Sequence, residues 1–124
     1  MTMKISLDLV KIVAQAIYDK KGINILVLDV SGLSSITDYL IVAEGHVDRH
    51  VSAIASNVMQ VLKELGERPV HAEGMVEGAW VAVDYLNFIV HLFGPGLRDY
   101  YAIERIWPQA KIVELDFLEQ VTTA

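Results

Sequence analysis

The sequence predicts a mixed α/β domain, and three observations carry that prediction. Two stretches, around residues 9–17 and 51–65, repeat apolar residues with the period of an amphipathic helix. Two short runs, NILVLDV at 24–30 and DYLIVAEG at 38–45, are strongly apolar but too short for a helix, so they read as strands. The segments AWVAVDY and FIVHLF are separated only by Leu86-Asn87 and read as a hairpin. Helices that bury one stripe and strands that bury one or both faces must be stacked on each other, which implies helices packed on a sheet.

In chain order, Ser6 is placed to cap a helix over 6–20. Leu9, Ile12, Val13, Ala16 and Ile17 form its buried stripe, Asp8, Lys11, Gln15 and Asp19 face away, and Gly22 ends it. The strand 24–30, a polar turn at 31–37 and the strand 38–45 follow. Asp48 is the expected N-cap of a second helix ending before Gly66, with Val51, Ile54, Ala55, Val58, Leu62 and Leu65 inward. Residues 69–73 read as an edge strand, 74–78 as a loop, and 79–85 with 88–93 as the hairpin. Its turn is unusual, because a primed turn prefers Asn or Gly where Leu86 stands. Pro95 suits the first turn of a third helix over 96–106, which Pro108 terminates. A short last strand at 111–115 and a terminal helix at 117–123 complete the reading. The expectation is a single domain over 1–124, core about 7–110, built on a mixed five-stranded sheet with flanking helices.

Composition narrows the function. The 124 residues contain no cysteine, which removes thiolate zinc sites and cysteine nucleophiles and suits a reducing cytoplasm. No signal-peptide pattern opens the chain, and no run approaches the roughly 18 apolar residues that span a bilayer, so a cytoplasmic protein without a membrane partner is expected. The net charge is -6, and the basic residues are scattered, with Lys20-Lys21 the one adjacent pair. That distribution argues against sequence-specific nucleic-acid binding and favours encounter with a basic protein.

No catalytic set emerges. His46, Asp48 and His50 form H-x-D-x-H, but they straddle a helix start instead of sharing one rigid element, so capping is favoured over metal binding. His91 lies among apolar strand residues and reads as a hydrogen-bonded structural histidine. Asp29 and Asp38 flank a turn, with no D-x-D on one strand face and no glycine-rich phosphate loop, so turn capping outweighs metal-dependent phosphoryl transfer. Ser34, Ser35 and Thr37 are expected to bond local backbone. The informative element is the first hairpin strand. Trp80, Ala82, Asp84 and Leu86 alternate with Val81, Val83 and Tyr85, which puts a Trp and an Asp on the face opposite the valines and suggests a partner surface.

Several stretches, in order, carry a resemblance: Leu28-Asp29-Val30 with Ser34 through Tyr39, then Asp48-Arg49-His50-Val51, then Glu73-Gly74 with Trp80 through Tyr85, then Val90 through Phe93, and Tyr101-x-x-Glu104-Arg105-x-Trp107. Together they resemble the ribosomal silencing factor (RsfS/Iojap) family. The resemblance implies a nucleotidyltransferase-like topology without the catalytic motif, no enzymatic activity and no cofactor. It implies binding to the large ribosomal subunit through large-subunit ribosomal protein fourteen, which blocks joining of the small subunit and represses translation. It centres the partner-binding surface on Trp80, Asp84 and Tyr85, with Asn87 of the turn and Met75 and Glu77 of the preceding loop beside them. Self-association through the same sheet face is compatible with it. Two positions depart from the family pattern: Leu86-Asn87 replaces a common Gly-Asp, and His46-Val47 replaces a small residue before Asp-Arg-His.

Overall fold

A computed structural model describes residues 6–97 and 103–115. Helix α1 (Ser6–Asp19) leads into β1 (Ile23–Asp29) and β2 (Tyr39–Glu44); α2 (Asp48–Glu64) leads into β3 (His71–Glu73), β4 (Trp80–Asp84) and β5 (Phe88–Phe93), and β6 is Lys111–Ile112. The strands form one six-stranded sheet in the order β3-β4-β5-β2-β1-β6. Its one parallel pair is β2 with β5, and the others are antiparallel. The sheet was expected to have five strands; the short last strand read at 111–115 is present as the two-residue β6, and its pairing with β1 makes it the sixth.

Both helices cover one face of the sheet. Val10, Val13 and Ile17 of α1 and Val51, Ile54, Val58 and Leu62 of α2 pack against Val27, Ile41, Val81, Val83, Val90 and Leu92. The other face carries a smaller cluster of Leu28, Val30, Leu40, Val42 and Phe93, against which Trp80, Ile89, Leu97, Trp107 and Ala110 rest. The second layer therefore covers the β1–β2 side of that face and stops at Trp80. Among the described residues no such cover reaches β3 and the outer half of β4, where the face carries His71, Glu73, Ala82 and Asp84.

Local chemistry corrects three expectations. The residue before α2 that acts as its N-cap is Val47, extended at φ -144°, ψ 164°, with no side-chain cap bond; Asp48 is the first helical residue. As an acid in the first turn it still favours the positive end of the helix dipole. At the end of α1 the left-handed residue is Lys21 (φ 65°), not Gly22. The N–H of Lys21 bonds Tyr18 O at 2.9 Å and that of Gly22 bonds Ile17 O at 2.9 Å, which is the Schellman pattern with Lys21 at C′. Gly22 is required for space, since a Cβ there would lie 2.3 Å from Ile17 Cγ2. The predicted helix 96–106 falls partly outside the described residues, and its described end, Ile103–Ile106, is a 3-10 turn. The segment 117–123 lies outside the described residues.

Candidate protein-docking surface

β4 buries alternate residues: Val81 and Val83 are fully buried toward the helices, while Trp80, Ala82 and Asp84 are half-buried on the other face. The Trp80 ring stacks on Phe93, with centroids 5.2 Å apart and planes at 27°. Its Nε1–H donates to His91 Nδ1 at 3.1 Å. That bond places the proton of a neutral His91 on Nε2. Burial lowers the His91 pKa to about 4, while Asp84 pulls weakly the other way. The Trp80 side chain is thus clamped against the sheet with its one polar atom satisfied and part of its ring open to solvent.

The partners of Trp80 were legible in principle. A two-residue link between β4 and β5 sets the register, which puts Phe93 opposite Trp80 and His91 opposite Ala82. The sequence reads His91 as a hydrogen-bonded structural residue, and its bond to Trp80 Nε1 agrees with that and supplies the partner.

Asp84 uses Oδ1 to accept the Leu86 N–H at 2.8 Å. It lies opposite His71 in the β3–β4 register, and Glu73 lies opposite Ala82. His71 Nε2 and Glu73 Oε1 are 3.1 Å apart, both well exposed. Around Trp80 the uncovered face therefore presents Asp84, Glu73 and His71.

The other expected site residues do not join this patch. Tyr85 points toward the helices, is 7% exposed and stacks on Phe88 at 5.0 Å. Its hydroxyl is buried without a hydrogen-bond partner, and burial, then the Glu67 carboxylate, push its pKa up to about 12. Met75 is half-buried against the helix-side core, and its carbonyl accepts the Ser52 hydroxyl at 2.8 Å. Glu77 is exposed on the same loop, which is pressed onto α2: a Cβ on Gly78 (φ 72°) would lie 2.2 Å from Asp48 O. Asn87 is exposed at the hairpin tip, where its carbonyl accepts the N–H groups of Asp38 (3.1 Å) and Tyr39 (3.2 Å). The structure thus groups Trp80 with Asp84, puts Asn87 at the end of that strand, and leaves Tyr85, Met75 and Glu77 on the helix side.

The remaining constellations have structural work. His50 Nδ1 accepts the His46 N–H at 2.9 Å, and Nε2 bonds Lys20 O at 2.7 Å. The His46 and His50 rings stack at 5.3 Å. With both ring nitrogens of His50 committed to backbone, no lone pair remains for a metal. Asp29 Oδ1 accepts from the N–H and hydroxyl of Ser31, and Ser34 Oγ accepts the Ile36 N–H at 3.1 Å, local turn bonds of the kind expected; the Thr37 hydroxyl instead donates to Leu86 O of the distant hairpin turn at 2.9 Å, not to local backbone. An open groove of about 470 Å³ runs between α2 and the segment after it, lined by Met59, Lys63, Glu67, Arg68 and Met75 among others. No described helix is long and apolar enough to cross a membrane.

Comparison with known proteins agrees with the resemblance. A family model described as ribosomal silencing factor during starvation matches residues 4–124. A ribosomal silencing factor RsfS of Bacillus subtilis is 38% identical over 110 residues, 89% of this chain and 93% of that protein. A crystal structure of a Chromobacterium violaceum protein superposes with a TM-score of 0.81 at 42% identity, covering 86% of this chain and 88% of the other. A mouse protein named mitochondrial assembly of ribosomal large subunit protein 1 is 30% identical over 87 residues, 68% of this chain and 38% of its own length. This chain therefore belongs to the family of ribosomal silencing factors.

Proposed function

We propose that this protein docks on the large ribosomal subunit through large-subunit ribosomal protein fourteen and, by its bulk, keeps the small subunit from joining. It acts in the cytoplasm, as a binding protein and not as an enzyme. One observation carries the reading beyond family membership: Trp80 is clamped by Phe93 and His91 at the edge of the second layer formed by the described residues, half-exposed, with Asp84 on the same strand face. A rigid, half-exposed Trp whose N–H is already satisfied offers apolar area at low entropic and desolvation cost. An acidic side chain beside it favours a basic partner.

Trp80→Ala is expected to weaken docking by about 2 kcal/mol, roughly 30-fold. The test is co-sedimentation with purified large and small subunits at near-physiological Mg²⁺. The reading requires that the wild type travel with the large subunit and deplete the joined ribosome, and that Trp80→Ala do both less well. Joined ribosomes left intact by saturating wild-type protein would overturn it.

A further inference from the structure

Beyond Trp80, β4 runs into a turn held in a conformation that its residue disfavours. Leu86 has φ 73°, a region that favours Gly and Asn. The Asn87 N–H donates to Tyr85 O at 2.9 Å across it, the bond of a classic γ-turn, which is rare and strained. Burial does not offset this, since Leu86 is 62% exposed. Beside the turn lies the 31–37 loop, whose Ile36 is 73% exposed.

Loop and turn are tied together. Thr37, only 6% exposed, donates its hydroxyl to Leu86 O at 2.9 Å. The N–H groups of Asp38 and Tyr39 converge on Asn87 O, and Ser34 Oγ accepts the Ile36 N–H. Two large apolar side chains are therefore held in water by a cross-linked backbone. Asp84, which accepts the Leu86 N–H, and the exposed Asp38 stand next to them. Lys111, opposite Asp29 on the far side of β1, is the nearest basic strand residue in register.

From this arrangement we infer that Ile36 and Leu86 form a second apolar anchor of the docking surface, continuous with Trp80 through Asp84. It seats in an apolar socket rimmed by Lys or Arg on a basic ribosomal protein of the large subunit. The inference rests on the docking reading above and adds a contact to it. Strain retained at an exposed turn is explained when the side chain it displays is used.

The experiment measures affinity for purified large subunits, and thermal stability, for Leu86→Gly, Ile36→Ser, Trp80→Ala and, as a control, Val76→Ser, which alters a 94% exposed residue of the loop on the helix side. Leu86→Gly is expected to raise the melting temperature and yet weaken docking, by roughly fivefold to tenfold, with Ile36→Ser weakening it similarly. Opposite signs for stability and affinity are what a purely structural turn would not produce. Val76→Ser should bind as wild type. If Leu86→Gly and Ile36→Ser both bind as wild type while Trp80→Ala does not, the second anchor is wrong and the docking reading stands. If wild type ignores the large subunit, both fall.

Discussion

Acidification should release the Trp80 clamp, and His91 sets where. Folding lowers its pKa from 6.5 to about 4, because burial disfavours the imidazolium more than Asp84 favours it. A depressed histidine pKa means that the unfolded chain binds more protons between those values, so stability falls as pH drops from about 6.5 toward 4 and levels off below. At pH 5 the unfolded histidine is almost wholly protonated and the folded one largely neutral, which costs roughly 2 kcal/mol relative to neutral pH. Because His91 is half-buried and not sealed, about 1 to 2 kcal/mol is the expected range. The measurement is urea unfolding at pH 7.5, 6 and 5 for wild type and for His91→Gln, whose amide oxygen can still accept the Trp80 N–H but does not titrate. Carboxylates contribute equally to both proteins, so the difference between the two pH profiles isolates His91. Parallel profiles would refute the burial-driven shift and the neutral tautomer inferred from the Trp80 bond.

Substitutions at three further residues follow from the contacts named above. Tyr85→Phe removes a buried hydroxyl that has no partner, so stability should hold or rise by about 1 kcal/mol in urea unfolding, with docking unchanged; a loss of docking would mean that the hydroxyl reaches the partner. His50→Ala removes two bonds to backbone, one to the His46 N–H and one that ties the start of α2 to Lys20 O, and should cost about 1 to 3 kcal/mol of stability by the same assay. Asp84→Ala and Asp84→Lys lose the same bond to the Leu86 N–H, so any extra loss of large-subunit affinity in the lysine variant reports like charges across the interface; equal affinities would remove Asp84 from it.

The elements that were legible are those whose signal is local and periodic. Both long helices and the strands β1 to β5 lie within a few residues of where periodicity put them, and the alternation in β4 separated Trp80 and Asp84 from Val81 and Val83 correctly. The errors fall where a backbone choice depends on packing. Lys21 takes the left-handed position because Gly22, one residue on, must leave room for Ile17. Asp48 is drawn inside α2, where its Oδ1 lies 2.7 Å from where a Cβ on Gly94 would stand, a long-range approach that no local pattern announces. The pairing of β2 with β5 was equally hidden, since it joins strands separated by α2 and the whole β3–β4 region.

The division of the site residues follows from the same cause. A sheet has two faces, and an apolar strand does not say which layer will cover each. Here α1 and α2 cover one face completely, so Tyr85, Phe88 and the valines of β4 become core. Among the described residues, Leu97, Trp107 and Ala110 cover the second face over Leu28, Leu40 and Val42 but do not extend over β3 and the outer part of β4. At the boundary, a large side chain left half-covered would normally be an aggregation hazard. The hazard is contained because the strands beyond it carry Asp84, His71 and Glu73, and because Trp80 has its only donor satisfied by His91. Those two features also specify the kind of partner. A neutral apolar surface broad enough to cover both Trp80 and Asp84 would bury a carboxylate with no charged partner, whereas a surface bearing Lys or Arg beside an apolar socket covers both without that penalty. Under the docking reading, the polar side chains that border Trp80 thus make a basic protein the better occupant of this face.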